Sequence, residues 1–498
     1  MSAVAYAAPV ACGLVATPLR PGTVSPRSLR SWHPDAPDVA VTGVTHDSRD
    51  VRPGDVYAAL PGSRAHGADF AAQALANGAV AAVSDRPADP LPTLVVDSPR
   101  KVLGDLARWV YGDPSAALDI VGVTGTNGKT TTAYLLESAF RAAGRTTGLV
   151  GTVETRIDGD VVPSSHTTPE APDLQALLAV MRERGVTGVG MEVSSHGLAL
   201  GRVDGTTFAA AVFTNLSQDH LDFHADMESY FKAKASLFTA GRSKVAVVNV
   251  DDPYGARLVE RTHLPVVTTS ATGARLADWQ AHDVELGLDG ATFRVVAPGV
   301  DRRVRLRLPA AYNVANALGA LAALDSIGVD VEAAIAGVEA LDGVPGRLER
   351  VDRGQPFLAV VDYAHSPDSV ASVLRALRPL TDGRVIVVLG CGGDRDREKR
   401  PLMGRAAAEG ADLVVATSDN PRSEDPLAIL DAMVEGIRAV GTRHVVEPDR
   451  AAAIRLAVAE ARPGDVVLVA GKGHEQGQTF GDVTVPFDDR VVLAEALS

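Results

Sequence analysis

VGVTGTNGKT, Val121 to Thr130, sets an apolar run directly before a glycine-rich turn and a lysine–threonine pair. With LDI ahead of it, the run reads as a buried strand. Lys129 then opens a helix in which Tyr134, Leu135, Ala139 and Phe140 form an apolar stripe and Gly144 supplies a stop. The usual phosphate loop has a glycine where Val123 stands, so this loop is a shorter variant. The residues that carry the chemistry are still present. Gly125 and Gly128 permit a turn whose N–H groups face inward, with Thr126 and Asn127 between them. Lys129 brings positive charge to the outer phosphates, Thr130 offers a hydroxyl to Mg2+, and the helix starting there, with Thr131, points its N-terminus at an anion. An ordinary glycine turn before a helix is the competing reading. The strand before and helix after favour nucleotide binding.

The surrounding chain repeats this rhythm. Strand-like pieces follow at TGVGMEVS, FAAAVFTNL, KVAVVNVDD and LPVVTT, a parallel α/β pattern, before an antiparallel-looking stretch that ends in RRVRLRL. A second α/β series runs through PFLAVVDYAH, GRVIVVLGCGG, ADLVVATSDNP and GDVVLVAGKGHE, with polar motifs where each strand ends. Open α/β sheets bind ligands at such carboxyl ends. The first part holds DVYAAL, GAVAAVS and PTLVVD, then a linker at YGDPSAAL. The expected organisation is an N-terminal extension over 1–20 and three α/β domains over 21–117, 118–345 and 346–498, the central one a phosphate-loop domain and the last Rossmann-like.

A chain of 498 residues exceeds one hydrophobic core, and 46% apolar with 22% charged residues is globular material. A net charge of -14 argues against a nucleic-acid surface but allows a local basic pocket. Two cysteines, Cys12 and Cys391, make a disulfide scaffold an unsuitable reading and fit a reducing compartment. The first nineteen residues carry no charge, unlike the basic start of a signal peptide, and no apolar run suits a bilayer. A cytoplasmic protein without stable membrane insertion is expected.

Glu192 ends the apolar strand of GMEVSSHGL. A carboxylate buried there must be paired or metal-bound, and as a residue alone it reads equally as metal ligand or as a capping or salt-bridging group. FTNLSQDHLDFH supplies Asn215, Asp219, His220, Asp222 and His224. Mg2+ prefers oxygen, and no compact three-ligand zinc cluster stands out. In MESYFKAKASLF, Lys232 and Lys234 lie on different sides of an amphipathic helix, and either reads first as a solvated charge. Asn313 and Asn316 share one helix face, suited to an adenine edge or to capping. DNPR, Asp419 to Arg422, reads either as an Asn-Pro turn or as a site where Arg422 clamps a carboxylate.

Taken together, these motifs resemble the Mur ligase family, ATP-dependent amide-forming enzymes, in order and over essentially the whole chain. Folylpolyglutamate synthases share the TGTNGKT loop but lack such a first domain. The resemblance implies a three-domain α/β fold and a set of site residues. Glu192 and His220 would help hold a second Mg2+, Thr130 the nucleotide-bound one, and Lys234 would be carbamylated by CO2. Lys129, Glu192, His220 and Lys234 form the implied catalytic set. Asn313, Asn316, Arg347, Asp362 and His365 would join the phosphate loop in binding ATP. A uridine-nucleotide acceptor would meet Ser48, His66, Thr167, Thr168, Ser194 and Arg202.

DNPR resembles the branch of the family that adds meso-diaminopimelate to UDP-N-acetylmuramoyl-L-alanyl-D-glutamate. There Asp419, Asn420, Arg422, Arg395, Gly471 and Glu475 would form the amino-acid pocket, with Asn420 supporting Arg422 and Glu475 pairing with the distal ammonium. The implied protein is a monomer with ATP, Mg2+ and these two substrates as partners. A lysine-adding counterpart or another Mur ligase stands beside this reading, as does a nucleotide-binding regulatory module that no longer ligates.

Overall fold

The computed structural model describes residues 19–498 apart from 63, 164, 165 and 288. The expected extension lies outside the described residues as far as 18. Arg20, assigned to it, is instead anchored in the first domain: its guanidinium donates to the carbonyl of Val44 at 2.7 Å and to the hydroxyl of Tyr111.

Four parallel strands, Gly43–Thr45, Asp55–Ala59, Ala81–Ser84 and Thr93–Val95, form the first sheet. The helix Pro99–Val110 covers it with Leu103, Leu106 and Val110, in a core that also takes Ala176 and Ala179 from the central domain. The stretch read as a linker is a short 3-10 turn, Pro114–Ala117, between buried Tyr111 and Leu118, and Arg182 donates to the carbonyls of Tyr111 and Gly112 at 3.0 Å. The two domains therefore meet through packed helices rather than a free tether.

The central sheet has eleven strands. Asp119–Thr124 lies in its interior, between Gly188–Glu192 and Ala210–Phe213, all parallel. A strand covered on both faces must be apolar at successive positions. Val121 and Val123 face one core, beneath the helices Lys129–Ala142 and Ala311–Ser326, and Ile120 faces the other, beneath Ala171–Glu183. The stretch expected to be antiparallel is so: Gly290–Ala297 pairs with Trp279–Gly287 and Val300–Leu306 at the end of this same sheet.

The third sheet has six strands in the order Glu349–Arg350, Leu358–Asp362, Val466–Ala470, Val385–Leu389, Leu413–Ala416 and His444–Val446, antiparallel only at the first pair. Val385, Val387 and Leu389 face one core, and Ile386 and Val388 the other. A fully buried guanidinium ties the carboxyl ends of two strands together. Arg450 donates to both carboxylate oxygens of Asp489 at 2.7 Å, to the carbonyl of Ala470 at 2.9 Å and to that of Ser418 at 3.3 Å. Removing one partner of a buried pair leaves an uncompensated charge, so Arg450→Met is expected to cost this domain about 3–5 kcal/mol. Urea unfolding followed by hydrogen exchange on the third sheet checks this; a loss below about 1 kcal/mol contradicts it.

Candidate active site

The phosphate loop folds as its glycines demand. Gly125 sits at φ +150°, where an added Cβ would lie 1.9 Å from Thr214 Oγ1, and Gly128 at φ +88°, where it would lie 2.4 Å from Asn316 Oδ1. The helix Lys129–Ala142 begins at once, with Thr130 and Thr131 buried in its first turn. Lys129 Nζ donates to the carbonyls of Gly125 and Thr126 at 3.0 and 2.8 Å. Asn127 N donates to Asn215 Oδ1 at 2.9 Å, fixing the loop to the end of the neighbouring strand.

The central and third domains meet over this loop around a cavity of about 790 Å3. It is lined by Thr126 through Thr131, by Asn313 and Asn316, and by Arg347, Asp362 and His365. Glu192, His220 and Lys234 line it as well, with Thr167, Thr168, Ser194, Arg202 and Arg395. At this loop, hydrogen bonds cross between the domains: Arg347 Nη2 donates to Thr130 Oγ1 at 3.0 Å, and Asn127 Nδ2 to Asp368 Oδ2 at 3.3 Å. The guanidinium of Arg347 also lies 4.6 Å from the centre of the Tyr363 ring.

Lys234 is not the solvated charge its helix pattern favours. The helix Met227–Ala235, capped by Asp226, turns it inward while Lys232 stays exposed. Its Nζ donates to the carbonyl of Gly125 at 2.7 Å and lies 4.6 Å from the Tyr230 ring centre. Burial, with the nearby Lys129 ammonium, holds its pKa well below 10.5. Burial also lowers that of Lys129, against the pull of Glu192 and Asp219. Two amines converging on one carbonyl favour loss of a proton from one of them.

Glu192 is buried without an ion pair among the described residues, its oxygens accepting from Thr152 N at 2.7 Å and Thr152 Oγ1 at 3.0 Å. His220 adopts φ +54°, and burial pushes its imidazole down to about 4 against the opposing Asp219, so it is neutral near pH 7 with a free lone pair. Among the described residues no three His, Cys, Asp or Glu side chains converge as a metal site. The carboxylate and the threonine hydroxyl are oxygen donors of the kind Mg2+ takes beside phosphate oxygens, whereas the imidazole alone would not call for that ion.

The nucleotide-side residues are held by local bonds. Asn313 donates to the carbonyl of Pro309 at 2.6 Å and Asn316 to Asn313 at 3.0 Å. Asp362, expected on the ATP side, accepts from the backbone of Leu348 and Ala364, both at 2.8 Å, and so pins the chain entering the third domain. His365 Nδ1 lies 2.8 Å from the carbonyl of Tyr363.

Ser48 and His66 are not among the residues lining this cavity. Ser48 bonds Gln73 at 2.9 Å; His66 caps a 3-10 helix and pairs with Asp85 at 2.7 Å. Thr168 donates to the carbonyl of Glu192 at 3.1 Å, and Arg202 pairs with Glu170 at 2.9 Å and donates to the carbonyl of Thr168 at 3.3 Å.

The remaining residues gather where three strands of the third sheet end. Arg422 takes φ +53°, its Nη1 donating to the carbonyl of Gly393 at 2.7 Å. Gly471 N donates to the carbonyl of Asp362 at 3.2 Å, and Asp419 is buried beside it. Arg395 lies by Gly392, between this group and the cavity. One expectation changes. Asn420 does not bond Arg422, because its amide is taken by Lys472, Glu475 and Thr479 N. Glu475 takes the Lys472 ammonium on Oε2 at 2.8 Å, which leaves Oε1 outside that pair. Sequence reasoning gave Lys472 and Thr152 no role. The spacing Lys472–Glu475 within AGKGHE was a signal for the first, and Thr152 belongs to no motif.

Comparison with known proteins follows the same division. Residues 40–111 match the Mur ligase family catalytic domain, 123–324 the Mur ligase middle domain, and 346–473 the Mur ligase glutamate ligase domain. The chain is 60% identical over 473 residues to the UDP-N-acetylmuramoyl-L-alanyl-D-glutamate--2,6-diaminopimelate ligase of Streptomyces avermitilis, covering 92% of this chain and 93% of that one. It is 58% identical to the Streptomyces coelicolor protein of the same name over 476 residues, 93% and 94% of the two chains. A solved structure of a ligase of that name superposes with a TM-score of 0.68 at 37% identity, over 95% of this chain and 99% of that one. MurF from Acinetobacter baumannii, at 21% identity and TM-score 0.68 over 95% and 99% of the chains, shares the fold. With the phosphate loop, the three sheets and relatives this similar along nearly its full length, the chain belongs to the Mur ligase family, in its MurE branch.

Proposed function

We propose that this protein is an ATP-dependent acid–amino-acid ligase that adds meso-2,6-diaminopimelate to UDP-N-acetylmuramoyl-L-alanyl-D-glutamate in peptidoglycan precursor synthesis. The observation that carries this reading is one cavity in which a phosphate loop, a buried carboxylate and a buried amine face residues of the third domain. The acceptor's γ-carboxylate attacks the γ-phosphate of ATP, giving an acyl phosphate and ADP. The amine of diaminopimelate then attacks the activated carbonyl, and the tetrahedral intermediate collapses to amide and phosphate.

The chain's part is to position and to neutralise. Lys129 swings from its loop carbonyls to the transferring phosphoryl group. Thr167, Thr168, Ser194 and Arg202 orient the acceptor, with Ser48 and His66 toward its uridine end. Asn313 and Asn316 face adenine, and Arg347, Asp362 and His365 border the ribose and phosphates. When bound, Mg2+ would be held by Thr130, Glu192, His220 and carbamylated Lys234, and would offset charge on the phosphoryl oxygens. Burial lowers the Lys234 pKa and so favours the neutral amine, the form that takes up CO2. No helix among the described residues is long and apolar enough to cross a membrane; we place the protein in the cytoplasm as a monomer.

The test is ADP release with Mg-ATP, bicarbonate and the UDP-muramyl dipeptide, comparing diaminopimelate, L-lysine and no amino acid, with mass spectrometry of the product. Tripeptide formed only with diaminopimelate is the expected result; preference for lysine keeps the ligase and overturns the substrate. Arg422→Ala is expected to raise the KM for diaminopimelate by about 10- to 100-fold, because a charged hydrogen bond to its distal carboxylate is lost. The KM for ATP should stay within about twofold, and equal rises in both would contradict that role.

A further inference from the structure

The turn after Val466–Ala470 buries an ammonium that the reaction described above does not use. The side chain of Lys472 has no exposure to solvent. Its Nζ donates to Asn420 Oδ1 at 3.0 Å and to Glu475 Oε2 at 2.8 Å. Asn420 Nδ2 donates to the same Glu475 oxygen at 2.9 Å, closing a ring of three side chains. Thr479 N donates to Asn420 Oδ1 at 3.0 Å, so the amide is gripped at both ends. Glu475 is a third exposed and keeps Oε1 outside this ring. A charge withdrawn this far from water persists only against an opposite one. Lys472 therefore cancels Glu475 and fixes the orientation of both its partners.

We infer that Lys472 is a positioning residue that sets amino-acid specificity by keeping this pocket electrically neutral. The inference rests on the diaminopimelate reading of the site. Around the DNPR turn, Arg395, Arg422 and Lys472 stand against Asp394, Asp419 and Glu475, with the ion pairs Arg400–Glu424 and Arg450–Asp489 behind them. The far end of diaminopimelate is a zwitterion, an ammonium and a carboxylate on one carbon. A neutral pocket with separated charges receives it at both ends, its carboxylate on an arginine and its ammonium on Glu475 Oε1. Lysine brings an ammonium alone. It would meet a carboxylate whose charge is already compensated, and would leave an arginine without an anion. Without Lys472 the balance is negative and a lone cation is rewarded. Discrimination between the two substrates then resides partly in a side chain that touches neither.

The experiment uses full-length wild type, Lys472→Met, Glu475→Gln and the double variant, with saturating Mg-ATP and acceptor. Tripeptide products are counted by mass spectrometry from mixtures of diaminopimelate and L-lysine. The ratio of kcat/KM for diaminopimelate over lysine is expected to fall about tenfold or more in K472M, chiefly through the two KM values. It should rise in E475Q, which leaves the pocket positive, and return toward the wild-type value in the double variant. A structural role alone would lower both substrates by one factor and leave the ratio unchanged, and that result overturns the inference. Should K472M fail to fold by circular dichroism, E475Q decides, because an equal loss for both substrates contradicts the charge balance. A wild-type protein that forms no diaminopimelate product overturns the reaction assignment and this inference with it. Wild-type turnover with an unchanged ratio in K472M overturns this inference alone.

Discussion

Lys129→Met is expected to lower kcat by about 100- to 1,000-fold, the cost of removing one preorganised donor from a developing anion. Lys129 stands in the first turn of its helix, and its Nζ lies within 3.0 Å of two loop carbonyls. Those carbonyls hold the ammonium over the loop until phosphate displaces them. Burial lowers its pKa, and a bound phosphate would raise it again. Methionine keeps the stem and removes the charge. ADP release in a single turnover reads the chemical step, while calorimetry should show the UDP acceptor binding as in wild type. A kcat within about threefold of wild type would remove Lys129 from the mechanism.

The second large effect belongs to Lys234. Lys234→Met is expected to lose about 100-fold or more in kcat, because the carbamate oxygens that would complete the Mg2+ ligands are lost. Wild type assayed in CO2-depleted buffer should be slow and recover with bicarbonate; the variant should not respond. Isotopically labelled bicarbonate should give a carbamate signal in wild type by NMR and none in the variant. A wild-type rate indifferent to bicarbonate, with no such signal, would contradict carbamylation.

The pH dependence has a definite sign. Lys234 has its pKa depressed well below 10.5 in the folded protein. Between that depressed value and 10.5 the unfolded chain binds more protons at this site than the native one, so stability rises with pH across the window. As pH falls through the native value the ammonium returns, no carbamate forms, and ligation declines.

Much of this architecture was legible from residues alone. Apolar runs such as IVGV and VIVVL announce strands buried on both faces, since only a covered strand can be apolar at successive positions. The phosphate loop was legible for a similar reason: Gly125 and Gly128 are required by backbone angles that other residues resist. DNPR and AGKGHE each marked a strand exit, although nothing in either announces the other.

Long-range packing settled what local pattern could not. The helix around Lys234 has a solvated lysine two positions away, and which of the pair turns inward depends on Tyr230 and on the carbonyl of Gly125, a hundred residues earlier in sequence. Glu192 is satisfied in its burial by Thr152, which reaches it from the neighbouring strand's exit. Asn420, Lys472 and Glu475 come together only because two strands that sit on either side of Val385–Leu389 end at the same height. The sequence by itself determined the strands, the nucleotide loop and the family. The tertiary structure alone decided which charged side chains lose their water, because desolvation and the partners that offset it are properties of the packed whole.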